Sequence, residues 1–168
     1  MTTPRQSTPT ASMRTLAGPI YTFLTQRLIN PIMRALLNRG IAAKTLMTLE
    51  FRGRKTGKIY NLPVGYMQRG RTVFVYSPFS WWRNLQGGVP VTVVIKGQTL
   101  TGTADVTTDT DEIAKGLDAY LRHNPGDAFF YRVKLDENRH PIPETVAEAA
   151  KNNVQITIQL DEPASPNS

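Results

Sequence analysis

In six segments of this chain, the first beginning at Thr45, the apolar residues recur at every second position. This period is typical of strands that bury one face and expose the other, so it strongly limits the fold. The alternating segments are residues 45–51, 62–66, 72–76, 89–95, 100–106 and 154–160. Turns separate most of them, which predicts a meander of about five antiparallel strands and one last strand. The predicted fold class is mainly β with peripheral helices (α+β), in the form of a six-stranded antiparallel barrel.

Before Thr45 the apolar period is close to four. One stripe runs from Leu16 to Leu28, and Pro31 is predicted to begin a second helix that ends at Gly40. Two more helices are predicted after the barrel strands, one from the capping pair Asp109 and Glu112 to residue 123 and one over residues 143–151.

The domain organisation follows from these elements. Residues 1–13 are polar and rich in Thr and Pro, and residues 163–168 have no apolar anchor, so both are predicted to be disordered tails. Residues 14–162 are predicted to form a single barrel domain with N-terminal helices, since the chain is too short for two domains with separate cores.

The composition excludes several kinds of chemistry. The 168 residues include no cysteine and only two histidines, His123 and His140, so thiolate chemistry is excluded and no metal site is expected. No apolar run reaches the roughly 20 residues that span a bilayer. The N-terminus does not read as a signal peptide, which favours a cytoplasmic location.

Charge is divided sharply along the chain. Residues 1–100 hold 14 Lys and Arg and the single acid Glu50, whereas residues 101–168 hold 6 Lys and Arg and 12 acids. A half-chain with this excess of positive charge attracts an anionic ligand, nucleic acid or an anionic membrane surface.

The densest positive charge lies in the basic turn, Arg52–Lys58, between two predicted strands. Its two glycines allow positive φ angles and a close approach of backbone N–H groups to a ligand. Arg and Lys in such a turn can hold a phosphate or a carboxylate by charge-assisted hydrogen bonds. A solvated hairpin turn is the alternative interpretation.

A second unusual stretch is Ser77–Leu85, which carries two adjacent tryptophans followed by Arg83 and Asn84. It is predicted to join a strand to a short helix around Trp81–Leu85. One tryptophan is expected to close the barrel end. The functional interpretation is an apolar wall for a flat ring, with Ser77 and nearby backbone N–H groups at the ring's polar edge.

The usual catalytic motifs are absent: the sequence has no Gly-x-Ser-x-Gly elbow, no P-loop and no dinucleotide-binding glycine pattern. The remaining motifs share an order and a spacing. They are Gly53–Gly57 (GRKTG), Pro63, Tyr66, Gly70, Ser77 and Trp82–Leu85 (WRNL). In that order and spacing, over about residues 32–107, the chain resembles the deazaflavin-dependent nitroreductase family, which includes F-420-dependent quinone and nitro reductases.

The resemblance implies a split β-barrel of the FMN-binding type and a coenzyme F-420 cofactor, with FMN as the alternative. It implies that the basic turn binds the phosphate and the acidic glutamyl tail, that Ser77 lies at the deazaflavin ring, and that Trp82 and Asn84 belong to the helix that closes the site. The cofactor-binding residues expected on this basis are Arg52, Arg54, Lys55, Thr56, Gly57, Lys58, Pro63, Ser77, Trp82 and Asn84.

The activity that the resemblance implies is hydride transfer from the reduced deazaflavin to a quinone or nitro-aromatic acceptor. Because the cofactor itself supplies the hydride, no acid–base pair is required of the protein. Ser77 and Tyr66 are the expected catalytic residues, as hydrogen-bond donors to developing negative charge. The expected partner is a small-molecule electron acceptor, and the protein is expected to be a monomer or a homodimer.

The alternative function is a non-catalytic basic barrel that binds a flavin-like ligand, an anionic membrane surface or nucleic acid. Arginines without acids flank the apolar stripes of residues 14–39, as in helices that lie on anionic membranes. The cations of the barrel cluster in turns rather than along strand faces, so specific nucleic-acid binding is not expected.

Overall fold

The computed structural model describes residues 46–162, so the predicted helices before Thr45 and both predicted tails lie outside the described residues. The strands of this part are β1 (Leu46–Arg52), β2 (Ile59–Gly65), β3 (Met67–Arg69), β4 (Thr72–Ser77), β5 (Val89–Ile95), β6 (Gln98–Thr107) and β7 (Val154–Leu160). Its helices are the 3₁₀ helix Ser80–Leu85, α1 (Thr110–His123), the 3₁₀ turn Pro125–Asp127 and α2 (Pro143–Lys151).

All seven strands of the described region form one antiparallel sheet in the order β2-β1-β5-β6-β7-β4-β3. Its two edge strands, β2 and β3, are consecutive in the chain, with only Tyr66 between them. In a flat sheet, six steps between neighbouring strands would separate these edges by roughly 29 Å. A single residue spans about 3.5 Å. The sheet therefore curls until its edges meet at Tyr66, an arrangement consistent with a split barrel.

The predicted mainly β fold is confirmed, but the count of six strands is wrong. The sequence pattern predicts one strand around residues 62–66, whereas the structure has two strands there, because the chain changes its pairing partner at Tyr66. Gly65 is opposite Leu46 on β1, whereas Met67 is opposite Phe74 on β4. One chain segment thus serves as two strands.

The predicted meander is also wrong. A meander pairs each strand with the next in the chain, but β4 pairs with β7 and not with β5. Strand β7, the last in the described region, lies between β6 and β4. Period-two patterning identifies strands and their buried faces, and it carries no information on which strands are neighbours.

The period-two residues fill the inside of the curled sheet. Leu49, Val73, Val93, Ile156 and Ile158 are completely buried there. Complete burial of a side chain of this size stabilises a fold by about 1.5–3 kcal/mol. Tyr66 belongs to this interior cluster, so the residue at the join of β2 and β3 faces the barrel core.

The predicted helices at residues 109–123 and 143–151 are confirmed as α1 and α2, which form a second core with residues of β3 and β4. The backbone N–H of Glu112 donates to the side chain of Asp109 at 2.8 Å, as expected for an N-cap. Ile113, Leu117 and Leu121 lie on the buried face of α1. The basic turn, which joins β1 to β2, contributes no residue to this second core.

Candidate functional site

The basic turn connects β1 to β2 and is closed by backbone hydrogen bonds. The N–H of Gly53 donates to the carbonyl of Lys58 at 2.8 Å, and the N–H of Gly57 donates to the carbonyl of Gly53 at 2.9 Å. Gly57 has a φ of 66°, which favours glycine. Gly53 is needed for space, because a Cβ there would come within 2.7 Å of the Tyr60 ring. The two glycines of the motif therefore serve different purposes.

The turn is held against the 3₁₀ helix Ser80–Leu85, hereafter the tryptophan helix. The backbone N–H of Arg54 donates to Oδ1 of Asn84 at 3.1 Å, across 30 residues of sequence. The guanidinium of Arg54 donates to the carbonyl of Arg83 at 3.3 Å. Nδ2 of Asn84 donates in turn to the carbonyl of Trp81 at 2.9 Å. The two stretches that the sequence marks as unusual are thus in direct contact.

The positive charge of this region is not neutralised within residues 46–162. The ion pairs found there are Arg71–Glu162, Arg122–Asp118, His140–Asp136 and Lys151–Glu148. None involves the five cations of the site, which are Arg52, Arg54, Lys55, Lys58 and Arg83, all exposed. Exposed cations without carboxylate partners create a positive potential that attracts an anionic ligand.

The tip of the turn also offers peptide donors. The hydroxyl oxygen of Thr56 accepts from the N–H of Lys58 at 3.3 Å, so it stabilises the turn itself. The N–H groups of Lys55 and Thr56 have no hydrogen-bond acceptor among the described residues. Two successive unsatisfied N–H groups beside a lysine can bind a phosphate or carboxylate oxygen.

An aromatic stack lies beside the turn and was not anticipated from the sequence. Phe51 stacks on Tyr60 at a centroid distance of 5.5 Å and on Trp81 at 5.8 Å, with interplanar angles of 18° and 21°. The signal was present in the hairpin register, since a turn of residues 53–58 places Phe51 opposite Tyr60. Tyr60 is 37% exposed, so the stack runs from the barrel core to the surface.

The two tryptophans differ in their surroundings. Trp81 belongs to the aromatic stack and packs, partly buried, against the interior cluster. Trp82 is partly buried, and the guanidinium of Arg83 lies over its ring at 5.1 Å. This distance is within the range of a cation–π interaction. Pro63 lies on β2, an edge strand of the sheet, opposite Thr48.

The two expected catalytic hydroxyls are buried. Ser77 is 3% exposed, and its Oγ accepts from the N–H of Phe79 at 3.2 Å. Tyr66 is 7% exposed, and burial raises its pKa, so the phenol stays protonated at neutral pH. Within the described chain, neither hydroxyl forms a hydrogen bond to the basic turn. Arg54 and Asn84 are hydrogen-bonded to each other, whereas the hydroxyls of Ser77 and Tyr66 form no hydrogen bond to either of them.

A buried tyrosine cluster beneath α1 was also not anticipated. The hydroxyl of Tyr76 donates to Oε1 of Gln155 at 3.0 Å, and that of Tyr131 donates to the carbonyl of Tyr76 at 3.3 Å. The hydroxyl of Tyr120 donates to the carboxylate of Asp127. Burial raises the pKa of each tyrosine and of Asp127. The cluster reaches the peptide unit next to Ser77, since Tyr76 precedes it.

Two further observations bear on the kind of site. Among residues 46–162, no group of three or more His, Asp or Glu side chains could hold a metal ion. No helix within the same residues is long and apolar enough to cross a bilayer.

Comparisons with known proteins gave structural likenesses only. No protein-family profile matches the chain, and no curated protein matches it. Among solved structures, an F420 reductase is 12% identical with a TM-score of 0.43, covering 71% of this chain and 89% of its own. An FAD- and haem-binding protein from Mycobacterium smegmatis is 17% identical with a TM-score of 0.43, covering 80% and 74%. An FAD-binding protein from Mesorhizobium loti is 15% identical with a TM-score of 0.45, covering 74% and 87%. Identities and TM-scores this low decide neither the fold nor the function. The fold and the proposed function are therefore argued from the residues of this chain.

Proposed function

We propose that the protein is an oxidoreductase that binds coenzyme F-420 and passes a hydride from the reduced deazaflavin to a quinone or nitro-aromatic acceptor. The observation that carries the proposal is the hydrogen bond from the N–H of Arg54 to Asn84. It joins a cationic turn, suited to an anionic tail, to a helix with two tryptophans, suited to a flat ring. A ligand with both parts matches this pair of surfaces better than an anion alone.

The basic turn fits the anionic part of this cofactor. Lys55 and Lys58 have no carboxylate partner in the described chain, and the N–H groups of Lys55 and Thr56 are unsatisfied there. Arg54 uses one guanidinium nitrogen on the Arg83 carbonyl, so its other N–H groups remain for an oxygen ligand. We therefore assign phosphate and carboxylate binding to Arg54, Lys55 and Lys58. Thr56, Gly57 and Arg52 hold the turn in shape, since Arg52 donates to the carbonyl of Gly57 at 2.9 Å.

We assign binding of the ring to Trp82, Pro63 and Ser77. Trp82 offers an aromatic surface that is partly exposed, and Pro63 offers a partly exposed apolar one on the edge strand β2. FMN, which also pairs a flat ring with a phosphate, is the alternative cofactor.

The cofactor, when bound, supplies the hydride, so the residues of the chain have to position, desolvate and stabilise charge. A quinone or nitro oxygen that gains negative charge is stabilised by a hydrogen-bond donor in a buried site. Tyr66 is proposed for this role because a phenol stays protonated at neutral pH and can donate its proton in a hydrogen bond. Ser77 can donate its own hydroxyl proton while its oxygen accepts from Phe79. The acceptor is a small molecule, and we place the protein in the cytoplasm as a monomer or homodimer.

The test is a fluorescence titration of the purified protein with the oxidised deazaflavin and, separately, with FMN. Saturable binding of the deazaflavin is expected, with weaker binding of FMN. The double variant Arg54→Ala/Lys55→Ala should lose affinity, since each charge-assisted contact contributes about 1–3 kcal/mol. The matched control is Lys115→Ala, an exposed lysine of α1. Equal affinity of the double variant and the parent would refute the assignment of the turn.

Binding measurements on the same purified protein also test the non-catalytic alternative. If neither cofactor binds and a polynucleotide binds with steep salt dependence, the barrel is a nucleic-acid binder. If anionic vesicles bind instead, and the binding is lost on removal of residues 14–39, the protein is a membrane-surface protein.

A further inference from the structure

We propose that Asn84 is a positioning residue, which fixes the anion-binding turn at one place on the tryptophan helix so that an anionic tail and a flat ring bind as one ligand. The inference rests on the proposed function and deepens it. It assigns to Asn84 a contact with the protein's own turn in place of direct contact with the cofactor.

Both ends of the Asn84 side chain are used. Oδ1 accepts from the N–H of Arg54 at 3.1 Å, and Nδ2 donates to the carbonyl of Trp81 at 2.9 Å. Because one partner is a donor and the other an acceptor, only one orientation of the amide satisfies both. Asn84 therefore ties the turn to the first part of the tryptophan helix.

The contact lies at the centre of the candidate site. Arg54 is next to Lys55, whose N–H has no partner in the described chain, and Trp81 is next to Trp82. A second hydrogen bond from the turn to the helix runs from the Arg54 guanidinium to the carbonyl of Arg83 at 3.3 Å. A guanidinium recruited by an anion can leave that carbonyl, whereas the Asn84 contact involves the backbone and persists.

A fixed separation between two binding surfaces has a measurable effect. When two parts of one ligand bind to surfaces held at the right distance, the second part binds as an intramolecular event. If the distance is free to vary, the intact ligand loses this advantage, while each part alone binds as before. Loss of the Asn84 side chain should therefore weaken binding of the intact cofactor far more than binding of its separate fragments.

The experiment compares the parent with Asn84→Ala and with the control Asn138→Ala, an exposed asparagine whose side chain has no hydrogen bond in the described region. Three ligands are titrated: the intact deazaflavin cofactor, a deazaflavin that lacks the phosphate-bearing tail, and inorganic phosphate. For Asn84→Ala, affinity for the intact cofactor should fall roughly tenfold. Affinity for each fragment should change less than about threefold, and Asn138→Ala should match the parent throughout.

A readout without cofactor tests the contact itself. In the parent, amide hydrogen exchange at Arg54 should be slower, after correction for intrinsic rates, than at the unpartnered amide of Lys55. Asn84→Ala should abolish this difference. Asn84→Asp keeps an acceptor oxygen for the Arg54 N–H and should preserve it.

The outcomes separate the two proposals. If the parent binds the cofactor but Asn84→Ala binds it equally well, or loses all three ligands in equal measure, the positioning role is refuted and the proposed function stands. If Arg54 exchanges as fast as Lys55 in the parent, the contact is absent in solution and the inference fails. If the parent binds neither cofactor, the proposed function fails, and the inference fails with it.

Discussion

The hydroxyl of Tyr120 donates a hydrogen bond to Oδ2 of Asp127, and both side chains are buried between α1 and the turn that follows it. Burial raises the pKa of Asp127, and the hydrogen bond from Tyr120 opposes that rise only in part. The folded protein therefore keeps a proton on Asp127 at pH values where the unfolded chain has released it. Its contribution to stability is complete below the ordinary aspartate pKa and is lost as the pH rises through the folded pKa.

The first prediction is that Asp127→Asn removes this pH dependence. The free energy of unfolding of the parent should fall, relative to that of the variant, as the pH rises above the ordinary aspartate pKa. One proton accounts for at most about 1.4 kcal/mol per pH unit. The free energy of unfolding is measured at a series of pH values by urea unfolding, followed by tryptophan fluorescence. The exposed Asp111→Asn is the control, and parallel curves for parent and Asp127→Asn would contradict the prediction.

The second prediction concerns the other partner of this pair. Tyr120→Phe removes the hydroxyl and leaves the buried carboxylate without a hydrogen bond among the described side chains. An unsatisfied buried acceptor costs about 1–3 kcal/mol. Thermal and urea unfolding should show a loss of that size. Tyr60→Phe, at an exposed position, should change stability by less than about 0.5 kcal/mol; an equal loss in both variants would mean that the hydrogen bond is not the cause.

The third prediction concerns the charges of the basic turn. Lys55→Ala and Lys58→Ala should each weaken phosphate binding several-fold, because an exposed lysine without a carboxylate partner is free to pair with an anion. The loss should shrink as salt is raised, since exposed charges are screened. Isothermal titration with inorganic phosphate measures both effects. Should Lys115→Ala weaken binding as much, the effect would reflect net charge and not this turn.

The fourth prediction separates binding from turnover. Tyr66→Phe should leave cofactor affinity within about twofold and lower kcat on the order of 10²-fold, as expected on loss of a donor to developing charge. Because burial raises the Tyr66 pKa, the turnover of the parent should show no ionisation of this phenol below pH 10. Steady-state kinetics with a quinone acceptor across pH 6–10 provide the measurement. Unchanged kcat in Tyr66→Phe would leave Ser77 as the remaining donor.

The fifth prediction concerns the sheet. A Cβ at Gly102 would lie 2.5 Å from the backbone carbonyl oxygen of Gln159 on β7. Backbone atoms of a paired strand cannot move away without disturbing the sheet, so Gly102→Ala should destabilise the fold by about 1–3 kcal/mol. Circular dichroism melts measure the loss. Thr99→Ala, exposed on the same strand, is the control; a Gly102→Ala variant as stable as the parent would show that β6 and β7 are not packed as described.

Local structure was predictable where one physical rule dominates. Alternation of apolar residues located the strand segments and their buried faces, as at Leu49 and Val93, and side-chain capping located the start of α1 at Asp109. These features depend on residues close together in sequence, which is why a sequence pattern records them.

Features that depend on distant residues were not predictable in the same way. The pairing of β7 with β4, and the change of partner at Tyr66, are set by how the whole sheet closes. In the candidate site, the two halves were recognised separately from charge and aromatic content. Their contact through Arg54 and Asn84 depends on side-chain geometry across 30 residues, which no local pattern encodes. The buried Tyr120–Asp127 pair was missed because the sequence does not record whether a tyrosine and an aspartate contact each other or face solvent.

The position of β7 has a consequence for how the protein acquires its structure. The strand comes after every other element of the described region, yet its two neighbours, β4 and β6, have no hydrogen-bonded contact with each other. Until residues 154–160 are in place, the chain holds two separate groups of strands with apolar faces open to solvent. Long-range pairing of this kind slows folding, and exposed strand edges promote association between chains. A substitution that delays the docking of β7 should therefore reduce the yield of soluble protein more than its effect on equilibrium stability suggests.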